Sequence, residues 1–348
     1  MPPKVWIVLV DYNGLEDTRK CLRSLHLQTS SASTIVVDNA SVVNVTDALQ
    51  AEFPWAHFVR SPVNGGWAGG NNIGMKYAIE QGADLVVLLN NDTVVAPDFV
   101  TRLATAARAH PDFGIIGPVI RFMDPPHEVQ TDGVQFNRPH EAGFFQRHAV
   151  KLVTSTPPNV VEVDIVNGCC LMVRRQVVEK MGYVDEQFFL IHEESDFCLR
   201  SQAAGFKNGV LAESLVWHKG SSTFKREGSR LQRYFDARNL VRLIRKHGHR
   251  AGSRGTWRSY SHHLRYSYHR YAIERDGDFT DSANAVLEGL YDAALGRWGS
   301  YRKTTRPGLG VVRWVLSGAW RFASKSPVVA SIPRPQPVTI GPPPPSFT

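Results

Sequence analysis

Residues 85–92 read Leu85-Val86-Val87-Leu88-Leu89-Asn90-Asn91-Asp92: five apolar side chains, then three polar ones with a carboxylate last. A strand apolar on both faces is what a parallel sheet covered by helices on each side requires. Working outward, β-branched runs at 5–10, 34–37 and 57–60 alternate with amphipathic stretches at 16–27 and 46–52, and a further helix is expected from Asn71. This βαβαβ rhythm sets the fold class as α/β: an open, mostly parallel, Rossmann-like sheet flanked by helices, followed by a helical basic C-terminal extension. Ligands of such sheets bind beyond the carboxyl ends of the strands. Here those ends hold Asp11-Tyr12-Asn13-Gly14, Asp38-Asn39-Ala40-Ser41 and Asn90-Asn91-Asp92.

With 348 residues, 43% apolar and 21% charged, the chain is neither disordered, nor collagen-like, nor a stapled miniprotein. No run approaches the roughly 18 apolar residues of a membrane span, and the N-terminus lacks a signal-peptide pattern, so a cytoplasmic location is expected. Cys21, Cys169, Cys170 and Cys198 form no C-x-x-C pair and read as buried reduced thiols. The net charge of +8 hides an asymmetry: residues 1–218 carry 17 Lys/Arg against 24 Asp/Glu, and residues 219–325 carry 22 against 8. Proline pairs make 121–164 irregular, like an inserted hairpin or lid. Three regions follow: 1–220, with halves 1–120 and 121–220; a helical basic region, 221–325; and a proline-rich tail, 326–348, not expected to fold.

Four segments carry polar chemistry. The first runs from Asn64 to Gly74 and is rich in glycine, which lets backbone approach a ligand before a helix opens with free N–H groups; a turn without a ligand is the plain alternative. Because this segment does not follow the first strand, a hydride-transfer fingerprint is disfavoured. Asn90-Asn91-Asp92 can hold a divalent cation through Asp92, or cap a helix. His192-Glu193-Glu194-Ser195-Asp196, entered from the aromatic run 188–191, places three carboxylates in four residues. Either this is a desolvated acid cluster able to act as a base, or it is helix-start decoration paired with Arg200. His218, at the end of a strand, is a metal candidate only in this company.

Order and spacing of these segments over residues 4–250 resemble glycosyltransferase family 2, nucleotide-sugar enzymes of the GT-A fold, and most closely its rhamnosyltransferase-like branch. The resemblance implies that 1–120 is the nucleotide-binding half and 121–220 the acceptor side. It assigns Asp11, Tyr12, Asn13, Asp38, Asn39 and Ser41 to the base and ribose, and Asn64, Gly66, Gly70, Asn71 and Asn72 to the nucleotide-sugar pocket. Asn90 and Asn91 lead to the metal ligand Asp92, with Asn90 replacing the family's first Asp, and His218 completes the Mg²⁺ or Mn²⁺ site. The catalytic base falls on Glu194, where the family usually has Asp, with Asp196 or Glu193 as substitutes. The implied donor is a nucleotide-diphosphate sugar, dTDP-rhamnose as first guess, and the implied acceptor a glycan or lipid-linked saccharide of cell-surface polysaccharide synthesis.

In the basic third, Leu309, Val312, Leu316, Ala319, Trp320 and Ala323 share one helical face and Arg313, Ser317, Arg321 and Ser324 the other. Two readings stand: a helix in the membrane interface that makes the enzyme peripheral on the inner face of the membrane through 309–323, or a stripe packed on the catalytic unit. Lys219, Lys225 or Arg226 would form a cationic lid over the diphosphate, or a solvated loop. A catalytically relaxed sugar-binding relative is the alternative function. Nucleic-acid binding through the basic third is disfavoured by the acidic front.

Overall fold

The computed structural model describes residues 2–135, 159–220 and 229–323. Its sheet has the order β3-β2-β1-β4-β9-β6-β10-β5, with β7 on β6 and β8 on β10. The strands are β1 (Val5–Asp11), β2 (Ser33–Asp38), β3 (His57–Arg60), β4 (Leu85–Asn90), β5 (Thr93–Val95), β6 (Phe113–Phe122), β7 (Val129–Thr131), β8 (Val160–Val163), β9 (Cys170–Arg174) and β10 (Lys207–His218). Along the β3-β2-β1-β4 half every pairing is parallel, as is β6 with β10; β9 runs antiparallel between β4 and β6. Side chains alternate across the sheet. Ile7, Leu9, Val87 and Leu89 enter one core with Leu22 and Phe99, while Trp6, Val8, Val86 and Leu88 enter the other with Ala68 and Met75. Register then does the positioning: Asp11 pairs with Asp38, and Val10 with Asn90, so the three polar strand ends form one row.

Six helices cover the sheet: α1 (Leu15–His26), α2 (Val45–Leu49), α3 (Gly66–Glu80), α4 (Phe99–Ala109), α5 (Arg175–Met181) and α6 (Glu193–Ala203). Helix α3 begins at Gly66, five residues before the expected start, so most of the glycine-rich segment is helical rather than loop. Packing explains it. A Cβ on Gly70 would lie 2.5 Å from Val10 Cγ1, and one on Gly74 would collide with the Val8 side chain. These glycines let α3 sit directly on β1.

Four further helices, α7 (Ser229–His247), α8 (Gly252–Asp276), α9 (Thr280–Ala294) and α10 (Leu309–Ala323), form the basic region. They join the sheet unit through Leu240, Leu243 and Ile244 against Phe188 and Leu199, and through Tyr234 and Phe235 against Phe189 and Ile191. Leu309, Val312 and Leu316 pack on α8 and α9, so this part of the anticipated membrane face is an interior face. Instead Val311, Trp314 and Val315 stand 63, 76 and 46% exposed. The side chains of 319–323, residues 136–158 and the tail 326–348 lie outside the described residues. All four cysteines are free and buried, and among the described residues no helix is long and apolar enough to cross a membrane.

Candidate active site

The row of strand ends is tied together from below. Buried Asp11 accepts hydrogen bonds from Ser41 Oγ (2.9 Å), the Gly14 amide (3.1 Å), Asn91 Nδ2 (3.2 Å) and the Thr18 hydroxyl. Asp38 accepts from the Ser41 and Val45 amides and from Arg60 Nη1 at 2.7 Å. Asn39 donates to Asn64 Oδ1 and the Gly66 carbonyl and accepts from the Gly65 amide. Asn13, in the left-handed region at φ 56°, accepts from the Val42 amide. These groups fix the loop backbones and leave the rim of the edge to half-exposed Tyr12, Asn13, Asn90 and Asn91.

Asn71 and Asn72 turn inward as well. Asn71 donates to the Trp67 carbonyl; Asn72 accepts from the Val184 amide and donates to the Val184 carbonyl and Glu186, pinning α3 to the segment before α6. Gly66 lies against Phe189 and Gly70 against Val10, so the glycines of the expected pocket segment 64–74 also serve the packing of α3. Trp67, in the same segment, was passed over by the sequence reading. Its indole Nε1 donates to Asn90 Oδ1 at 3.0 Å.

Gly168 links this edge to α6. A Cβ at Gly168 would lie 3.3 Å from Glu194 Cβ and 3.5 Å from the Trp67 ring, so Asn90, Trp67 and Glu194 are contiguous around it. The three acids of α6 part company here. At about 100° per residue, Glu193 and Asp196 share a helical face and Glu194 is turned away from it; Glu193 and Asp196 are buried and Glu194 is half-exposed.

Asp196 is not placed to act as a base. It is held by Arg200 Nε (2.8 Å), Lys246 Nζ (2.7 Å) and His247 Nε2 (2.8 Å). Burial opposes its charge, but the His247 hydrogen bond and the Arg200 and Lys246 charges hold it well below the carboxylate range. Glu193 goes the other way: burial, then the charge of Glu194, raise it well above its ordinary value, and its Oε2 has no hydrogen-bond partner among the described residues. Glu194, whose Oε1 accepts from Ser195 Oγ at 3.0 Å, remains as the candidate base.

At the other end of the edge, His218 Nε2 lies 3.0 Å from Asp92 Oδ1, and its Nδ1 2.9 Å from Gln130 Oε1. Burial disfavours the imidazolium, but Cys169 and Asp92 outweigh it and push His218 up to about 11. A carboxylate and an imidazole side by side suit a divalent cation, which would replace the imidazolium proton as the carboxylate's counter-charge. Among the described residues no set of three His, Cys, Asp or Glu gathers to hold a metal. Two protein ligands match a cation that takes its remaining ligands from substrate phosphates and water. Lys219 Nζ pairs with Asp17 at 2.8 Å rather than lying over the strand ends, and Lys225 and Arg226 lie outside the described residues.

The signal for Trp67 was its place inside the glycine segment; Gly168 gave none beyond opening an apolar run. The structure thus places polar strand ends in register, the Asp92–His218 pair at one end of the row and half-exposed Glu194 beside Trp67 and Gly168. The chain belongs to the glycosyltransferase like family 2, whose profile matches residues 2–237. It is 28% identical over 239 residues to the low-salt glycan biosynthesis hexosyltransferase Agl10 of Haloferax volcanii, covering 67% of this chain and 73% of that one. Over 254 residues it is 26% identical to the dTDP-rhamnosyl transferase RfbF of Shigella flexneri, covering 71% and 81%. Among solved structures, a mannosyltransferase of Pyrobaculum calidifontis in complex with GDP-Man and Mn²⁺ superposes with a TM-score of 0.49 at 16% identity, covering 94% of this chain and 82% of that one.

Proposed function

We propose that this glycosyltransferase moves a hexose or deoxyhexose, rhamnose first, from a nucleoside-diphosphate donor to the hydroxyl of a glycan or lipid-linked acceptor, with inversion. The observation that carries the reading is the contiguity of Asn90, Trp67 and Glu194 around Gly168. Glu194 takes the proton of the acceptor hydroxyl as that oxygen bonds to the anomeric carbon and the bond to the diphosphate breaks. Asp92 and His218 would hold a divalent cation, which offsets the negative charge gathering on the leaving diphosphate. Tyr12, Asn13, Asn90 and Asn91 line the rim for the nucleoside and sugar, while Asp11, Asp38 and Ser41 set that rim from beneath.

Incubation with dTDP-rhamnose, UDP-N-acetylglucosamine and GDP-mannose, with and without Mn²⁺, tests the reading by nucleotide release. Glu194→Gln is expected to lower turnover about 10²–10⁴-fold, and an unchanged rate would refute the assignment.

A further inference from the structure

The turn that leads into Glu193 and Glu194 is strained, and a helix of the basic region holds it. Phe189, Ile191 and His192 have φ of 65°, 72° and 72°, a left-handed backbone that residues with a Cβ rarely adopt. Such residues persist only where the surroundings over-determine them. Here one amide does much of that. Asn239 Nδ2, on α7, lies 2.8 Å from the carbonyl oxygens of Phe188, Leu190 and Ile191 alike. Its direction is fixed by its neighbour: Arg238 Nε donates to Asn239 Oδ1 at 2.9 Å, so the NH₂ end must face the carbonyls. Arg238 also donates to the Phe188 carbonyl (3.1 Å) and the Gly299 carbonyl (2.7 Å), with its guanidinium over the Tyr234 and Phe235 rings. Both residues are fully buried. On the far side the Phe189 carbonyl accepts from the Ala68 amide at the start of α3, and the Phe189 ring stacks on Phe235 at 5.4 Å. One turn earlier on α7, Asp236 Oδ1 takes His192 Nε2 at 2.9 Å, at the residue that opens α6.

We propose that Asn239, aimed by Arg238, is a positioning residue for sugar transfer: it holds the 188–192 turn in its left-handed course and so sets where α6 presents Glu194. This rests on Glu194 being the base. Proton abstraction is sensitive to displacements of an ångström or less, so a relaxed turn lowers the chemical step more than donor binding.

The test uses the full chain and the donor from the panel above that wild type turns over. Asn239→Asp keeps the shape but sets oxygen against three carbonyls, and Asn239→Ala removes the amide; the surviving protein is counted by its nucleotide-binding sites. Turnover per binding site is expected to fall at least 10²-fold in both variants, with donor KM changed less than threefold. In a Glu194→Gln background the same substitutions should change turnover less than threefold, because the group they position is gone. Turnover per site within threefold of wild type, or equal losses with and without Glu194, would overturn the inference, the latter marking a purely structural role. Glu194→Gln at the wild-type rate would sink the base assignment first and this inference with it, whatever the Asn239 variants do.

Discussion

Replacing Gly70 with alanine tests whether the glycines of α3 serve packing or a ligand. The new methyl would stand 2.5 Å from Val10 Cγ1 and 3.1 Å from Cγ2, against about 3.5–4.0 Å for comfortable carbon contacts. Relieving an overlap of about 1 Å by shifting α3 or turning Val10 costs about 1–3 kcal/mol. In the helix interior alanine returns about 1 kcal/mol over glycine, so Gly70→Ala should destabilise by about 0–2 kcal/mol. In a Val10→Ala background both Val10 overlaps are gone, and the helix preference is set only against a tight contact with Asn39 Nδ2 at 3.3 Å. The same substitution should then be at least about 1 kcal/mol less destabilising than in the wild-type background, a coupling that a double-mutant cycle in urea resolves. Binding of dTDP, followed by calorimetry, should stay within threefold throughout. An unmoved urea midpoint together with lost dTDP binding would refute the packing argument and restore a ligand role to this segment; so would equal destabilisation in both backgrounds.

Gly168→Ala, whose methyl would touch Glu194 Cβ at 3.3 Å, should lower turnover several-fold with a thermal midpoint within a few degrees of wild type; unchanged turnover would separate Gly168 from the site. Asp196→Asn leaves Arg200, Lys246 and His247 facing a neutral amide, and should cost about 3–5 kcal/mol in denaturant melts. Asp236 is drawn down to about 2, burial being outweighed by the His192 hydrogen bond and by the charges of His192 and His263. A carboxylate depressed in the folded state contributes stability that is present above its ordinary value near 3.8 and lost as pH falls through about 2. Stability measured from pH 5 to 2 should therefore decline less steeply in Asp236→Asn than in wild type, and parallel curves would discount the pair. Leu316→Ala, on the interior face of α10 that packs on α8 and α9, should lower stability in denaturant melts by about 2–5 kcal/mol.

The open, mostly parallel sheet was legible because parallel strands buried on both faces are nearly uniformly apolar, and their polar ends mark one edge. The start of α3 was set five residues late, at Asn71 instead of Gly66, for an equally physical reason. Glycine is a poor helix former taken alone, and only the neighbouring β1 valines reveal why it is needed in α3. Periodicity found the stripe on α10 but could not say which face meets α8 and α9. Among the three acids of α6 the sequence named the cluster; burial separates Glu193 and Asp196 from half-exposed Glu194, and the partners of Asp196 lie about 50 positions downstream on α7. Arg238 and Asn239 carried no motif in the sequence reading, since their partners are backbone carbonyls, which every residue possesses.

The clasp between α7 and the 188–192 turn bears on how such enzymes can be recombined. Grafting a foreign 121–220 onto residues 1–120, or trimming the chain after 220, breaks the match between the amide and its three carbonyls although the strand ends at 11, 38 and 90 are unchanged. Interchangeable modules in this protein are thus defined by the pairing of 185–194 with 234–239, and a chimera that inherits both from one parent is the one expected to remain competent.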